Sequence, residues 1–143
     1  MINAVITGHG EYSLGMLNAL EMIAGEQEKI KAVTFLNDEA METYQEKLLE
    51  AINEVTEEGS DIIIFTDLKG GTPFNVSMLL TNSMPHVKVL AGSNLPIILE
   101  FVGQRYMEQS IDQALETLLE TGKSGLMVGE LVTNTKENEE DGI

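Results

Sequence analysis

The chain of 143 residues contains no cysteine. Thiolate metal sites and cysteine nucleophiles are therefore excluded. Basic residues are scarce: eight Lys and Arg stand against 24 Asp and Glu, a formal net charge of −16. That charge makes a polyanion such as nucleic acid a poor partner. It suits a basic protein partner, or simply solubility. No apolar run is long enough to span a bilayer, and no basic segment precedes an apolar stretch at the N-terminus. The cytoplasm is the expected location. Familiar ligand signatures are missing too: there is no Walker lysine-serine pattern, no HExxH and no dinucleotide GxGxxG. No cofactor is expected.

What is there fits one domain. The length and the 43% hydrophobic content suffice for a single core. Apolar runs predict strands over Ile2–Thr7, Ile30–Leu36, Asp61–Thr66 and Val87–Ala91. Helical spacing predicts helices over Leu14–Ala24 with Ser13 as N-cap, and over Glu39–Glu57 capped by Asn37 or Asp38. Met41, Leu48, Leu49, Ile52 and Val55 mark the core face of that second helix; Glu42, Glu46, Glu50 and Glu54 mark its solvated face. Three further helices are expected: Pro73–Ser83 with Thr72 as N-cap, Pro96–Tyr106 behind Asn94, and a last one from Ser110 to Gly122. Leu126–Val128 is a candidate fifth strand. The polar, acidic stretch 131–143 reads as a disordered tail. The domain is thus expected over residues 1–130.

Strand and helix alternate, which points to an α/β fold: a doubly wound, mainly parallel sheet of order 2-1-3-4, covered by helices on both faces. In such a sheet ligands bind outside the carboxyl ends of the strands, at the switch point. Strand one ends at Thr7-Gly8-His9-Gly10. Strand three ends at Asp67-Leu68-Lys69-Gly70-Gly71-Thr72-Pro73-Phe74-Asn75, a glycine turn opening a helix. The order 2-1-3-4 makes those two ends neighbours. His9 then becomes a candidate nucleophile for a phosphoryl group, and Asp67 the carboxylate that fixes its tautomer and orientation. The backbone amides of Gly10, Gly71 and Phe74, the amide and hydroxyl of Thr72, and the start of the third helix could bind phosphoryl oxygens; Lys69 could add a cation. Taken singly, His9 could be a turn residue and Asp67 a loop cap. As a pair they could also hold a metal or small anion without chemistry. His86 reads as a surface turn residue, and Arg105, the only arginine, as a partner for a nearby acid.

These motifs carry a resemblance. With Gly25-Glu26-Gln27-Glu28, Ala91-Gly92-Ser93-Asn94-Leu95-Pro96 and Glu120-Thr121-Gly122, the chain resembles the IIA domain of the mannose family of the bacterial sugar phosphotransferase system, over about nine-tenths of its length. The resemblance implies a phosphocarrier. His9 would accept a phosphoryl group on Nε2 from phosphorylated HPr and pass it to a IIB subunit, which phosphorylates sugar entering through the membrane IIC and IID subunits. Asp67 matches the family's histidine-orienting carboxylate, and Thr72 a Ser/Thr position beside the active histidine. Family members are homodimers that exchange a short antiparallel fifth strand, and Leu126–Val128 falls where that strand belongs. HPr's basic face would suit the acidic surface. Lys69 departs from the family, where an aromatic residue is common. The alternative of related fold is the phosphoryl-transfer subunit of a dihydroxyacetone kinase, in which a kinase-bound nucleotide is the acceptor.

Overall fold

The computed structural model describes residues 1–132. The elements follow one another as β1 (Ile2–His9), α1 (Tyr12–Ala24), β2 (Ile30–Phe35), α2 (Met41–Val55), β3 (Asp61–Thr66), α3 (Thr72–Thr81), β4 (Val87–Leu90), α4 (Leu95–Gln104) and α5 (Ile111–Ser124). The four strands form one parallel sheet of order β2-β1-β3-β4. This is the doubly wound α/β architecture expected from the strand–helix alternation.

Strands buried on both faces need apolar side chains at successive positions. β1 and β3 provide them. Ala4, Ile6, Ile63 and Phe65 point to one face, where they pack with Leu20 of α1, Ile98 and Phe101 of α4 and Leu118 of α5. Val5, Ile62 and Ile64 point to the other, against Tyr44, Leu48 and Ile52 of α2 and Val76 of α3. The core therefore has two halves, separated by the sheet.

Register sets the height of each strand end. β1 pairs with β3 as far as Thr7↔Thr66 but with β2 as far as His9↔Phe35. The longer partnership with β2 carries β1 two residues beyond the expected end at Thr7. His9 is thereby held by a strand rather than left in a loop.

Several boundaries differ from expectation. α1 starts at Tyr12, with Ser13 inside the helix and buried rather than capping it. α2 begins at Met41 after Ala40; Asp38 lies in the turn with φ 63°. Its core face is turned from the predicted one. Tyr44 and Ala51 are buried, while Met41 and Leu49 are exposed. Gly71, not Thr72, is the N-cap of α3. Asn94 caps α4 as expected, accepting from the Ile97 N–H at 3.2 Å, and Ser110 forms a capping box with Gln113. Gly122 does not close α5, which continues to Ser124 and ends at Gly125. The segment Leu126–Val128 forms no strand in the single chain: it is irregular, and its three side chains are 70–86% exposed. Of the acidic tail, residues 133–143 lie outside the described residues.

Arg105 does not pair with an acid among the described residues. Its guanidinium is buried and donates to the Ile2 carbonyl (3.0 Å), Asn3 Oδ1 (3.4 Å) and Gln27 Oε1 (3.5 Å), between the Phe101 and Tyr106 rings. The physical reason is position. Arg105 ends α4 beneath the amino end of β1, where carbonyl oxygens are within hydrogen-bond reach and the Glu28 and Glu57 carboxylates act on it without pairing.

Candidate active site

The carboxyl ends of β1 and β3 meet as the strand order requires. His9 closes β1, and Asp67 directly follows β3. One carboxylate oxygen, Asp67 Oδ2, lies 2.8 Å from the His9 backbone N and 2.8 Å from His9 Nδ1. Two bonds to one oxygen fix both the backbone and the ring of the histidine.

The protonation pattern follows. Burial alone raises the Asp67 carboxyl, but the bonds from the His9 N–H and ring outweigh it, and its pKa lies below the ordinary 3.8. An ionised carboxylate only accepts hydrogen bonds, so Nδ1 is the donor. The neutral ring then carries its lone pair on Nε2. With the His9 side chain 49% exposed, that atom is open to an incoming partner.

Three residues hold this ring and carboxylate: Gly71, expected at the site only as an amide donor, and Phe35 and Tyr12, which sequence reasoning did not assign to it. Gly71 lies under the imidazole: a Cβ there would sit 2.7 Å from His9 Cε1. Its φ of −73° is ordinary, so glycine is needed there for space and not for backbone freedom. Phe35 meets the ring edge-on at a centroid distance of 6.0 Å and stacks in turn on Tyr44, 4.9 Å away. The Tyr44 hydroxyl bonds Thr7 Oγ1, which donates to the Val33 carbonyl. Phe35 was legible in principle, since it ends the strand next to His9. Tyr12 is the third, packed over Gly8 beside Asp67.

The oxyanion donors need correcting. The Gly10 N–H already donates to the Phe35 carbonyl at 2.7 Å, and the Gly71 N–H to the Leu68 carbonyl at 3.1 Å. The Gly10 amide is engaged because the chain runs on beside β2 past the end of β3, and the Gly71 amide because the chain turns tightly there. Pro73 has no N–H. The amides of Thr72 and Phe74 remain at the first turn of α3, where helical geometry leaves N–H groups without intrahelical partners. Since Gly71 is the N-cap, the Thr72 hydroxyl is not engaged in capping. Lys69 is exposed in the turn after Asp67 and forms no ion pair among the described residues. Beside His9 a groove of about 280 Å³ runs along Phe35, Leu36, Asn37 and Asp38. Among the described residues no three His, Cys, Asp or Glu side chains gather as a metal site. Nor is any helix there long and apolar enough to cross a membrane.

Fold and dyad define a class: a doubly wound α/β protein whose switch point presents a carboxylate-oriented imidazole to solvent, the arrangement of a nucleophile for group transfer. The family model described as PTS system fructose IIA component, EIIA-man, matches residues 3–119, and the chain belongs to that family of phosphotransferase-system IIA components. It is 34% identical over 105 residues to the fructose-specific EIIA component of Bacillus subtilis, covering 73% of this chain and 71% of that protein. It is 32% identical over 126 residues to the mannose-specific EIIAB component of Escherichia coli; this is 87% of the chain but 38% of that longer protein. A crystal structure of EIIA from Streptococcus agalactiae superposes with a TM-score of 0.80 at 32% identity, over 90% of this chain and 97% of the other. The chain is accordingly a IIA-type phosphocarrier of a sugar phosphotransferase system.

Proposed function

We propose that His9 is the phosphoryl acceptor, that phosphorylated HPr is its donor, and that a IIB subunit takes the group onward to sugar entering through IIC and IID. The observation that carries this reading is the double bond-acceptance of Asp67 Oδ2 at 2.8 Å from both the His9 N and Nδ1. It leaves Nε2 as the one nucleophilic atom of the ring.

The step balances simply. The Nε2 lone pair forms a bond to phosphorus while the donor's nitrogen–phosphorus bond breaks and its electron pair returns to the donor imidazole. Nδ1 keeps its proton, so the His9 ring gains positive charge, which Asp67 offsets. The amides of Thr72 and Phe74, the Thr72 hydroxyl and the α3 dipole face the phosphoryl oxygens, with Lys69 adding charge from the turn. Transfer to IIB reverses the same geometry. The protein works in the cytoplasm and meets the membrane only through IIB.

The same reading includes a homodimer. Exposed Leu126, Met127, Val128 and Leu131 match the edge of β4, whose groove is lined by Met78, Met84, Pro85, Val87 and Val89. Pairing with the partner's β4 would give the segment its strand partner.

Incubation with phosphorylated HPr gives a phosphoryl adduct that is labile in acid and stable in base, and His9→Ala abolishes it. An adduct persisting in His9→Ala overturns the assignment. Onward transfer is read by adding IIB and following loss of the label.

A further inference from the structure

We infer that Tyr12 is a positioning residue for phosphoryl transfer: its ring walls the buried side of Asp67 and so keeps that carboxylate turned to His9. The inference rests on the proposed role of His9 and adds a residue to it.

Both His9 bonds fall on Oδ2 and none on the buried Oδ1; besides His9, among the described residues only the N–H of Leu68, the chain neighbour of Asp67, adds to the hold on the carboxylate. A carboxylate that its histidine holds by one oxygen alone can rotate unless something blocks it. Water would otherwise reach Oδ1 and compete for the orientation. Tyr12 lies close to this carboxyl group. A Cβ on Gly8 would lie 2.4 Å from Tyr12 Cδ1 and 2.9 Å from Asp67 Cγ. Ring and carboxyl group therefore press on the same point above the β1 backbone, and Gly8 is the residue that lets them.

The ring is itself fixed. Tyr12 opens α1, and its hydroxyl donates to the Ser93 carbonyl in the loop between β4 and α4. The Ser93 N–H in turn donates to the Thr66 carbonyl, the residue before Asp67. The side chain thus reaches from the end of β1, past β3, to the loop after β4. Burial, with Asp67 adding to it, pushes the phenol up to about 12, so the hydroxyl keeps its proton and remains a donor. The hydroxyl is spent on a carbonyl, which leaves the ring face as the part that acts on Asp67. Tyr12 touches no reacting atom; it acts through Asp67 on His9.

The test is Tyr12→Leu, with Tyr12→Phe to separate ring from hydroxyl. The readouts are the His9 ring tautomer, from ¹⁵N chemical shifts of the unphosphorylated protein, and the rate of phosphorylation by phosphorylated HPr. Tyr12→Leu shifts the neutral ring from the Nδ1–H form toward the Nε2–H form and lowers kcat on the order of tenfold, with little change in KM. Tyr12→Phe keeps the tautomer and stays within about twofold of wild type in rate. Should Tyr12→Leu fail to fold, Tyr12→Met, whose unbranched chain adapts to the gap, takes its place with the same expectation. An unchanged tautomer in a folded variant without the ring overturns the proposal, as does Tyr12→Phe losing as much rate as Tyr12→Leu. The tautomer is read without any phosphoryl donor. Wild-type protein that takes no phosphoryl group therefore refutes the proposed function while leaving the wall to stand or fall on its own spectrum.

Discussion

The two ends of β1 each carry a polar cluster, and they are built on opposite terms. At the amino end Arg105 is fully buried, and its guanidinium is shared among the Ile2 carbonyl, Asn3 and Gln27. Asn3 passes its own amide hydrogen to the Val55 carbonyl. Every group there has a partner, and the cluster ties α4, β1 and the end of α2 together. At the carboxyl end His9 is half exposed, its Nε2 is open and both of its bonds to Asp67 fall on one oxygen, Oδ2, leaving the buried Oδ1 without one from it. A buried polar group without a partner costs free energy, so a folded chain keeps one only where something else depends on it. The saturated cluster holds the fold. The unsaturated one leaves the His9 Nε2 open to solvent, as the proposed function requires.

The sharpest way to break that contrast is to damage each end and read both properties. Arg105→Met strands the Ile2 carbonyl and the Asn3 and Gln27 side-chain oxygens, and should cost about 2–3 kcal/mol of stability. In a chain of this size that lowers the thermal midpoint by roughly 10 °C, measurable by calorimetry. The folded fraction should still accept phosphoryl groups at the wild-type rate. A stable Arg105→Met, or one that folds but transfers slowly, would mean that the amino end is coupled to the chemistry.

The second disruption is Asp67→Asn. The amide oxygen can still accept the His9 N–H, so the fold and thermal midpoint should hold. The ring loses the anion that fixes its tautomer and offsets its charge, and phosphorylation should slow by about a hundredfold or more. Quenched-flow transfer from phosphorylated HPr measures it, and an unchanged rate would return Asp67 to a purely structural role.

The same contrast explains what could be read in the sequence. The sheet order and the His9–Asp67 pairing were legible because strand–helix alternation fixes which strand ends are neighbours. Local chemistry needing only a few residues was legible too, as with Asn94 and Ser110 at helix starts. The rest depends on distances between residues far apart in the chain. Gly10 looked like a donor to a ligand, but β1 outruns β3 and its N–H meets Phe35. Thr72 looked like a cap, but Gly71 takes that place with an extended ψ of 165°, leaving the hydroxyl unspent. Tyr44 belongs to the core, because Thr7 satisfies its hydroxyl in the interior. With Tyr44 and Ala51 inside, the stripe of α2 leaves Met41 and Leu49, expected on the core face, exposed. Arg105 was expected to seek a carboxylate, and found carbonyls that no pattern in the sequence announces.

A smaller effect is expected from Gly71→Ala. The backbone accepts alanine, since φ is −73°. The new methyl would lie 2.7 Å from His9 Cε1, and the ring must tilt away from Asp67 Oδ2 to make room. Transfer should fall on the order of tenfold at nearly constant stability. Gly15, whose Cβ position is open in α1, is the control: Gly15→Ala should leave transfer unchanged and add a little stability. Equal rates in both variants would show that the ring is free to move without loss, and that its seat on Gly71 is incidental.

The smallest expected effect is a change in acid sensitivity, and its sign follows from Asp67. Burial raises that carboxyl, the bonds to His9 lower it by more, and the folded pKa ends below 3.8. A depressed carboxyl contributes stability that is complete above its unfolded pKa and is lost as pH falls through the folded value. Wild type should therefore lose stability faster than Asp67→Asn below about pH 4. Glu39 is also held low, by its bond to Lys47, but it titrates alike in both proteins and cancels in the difference. Chemical denaturation at a series of pH values reads the two curves. Curves that stay parallel through the acid range would mean that the His9 bonds to Asp67 do not outlast its desolvation. The carboxylate would then be positioned by its surroundings, with the Tyr12 ring foremost, and not by the histidine it orients.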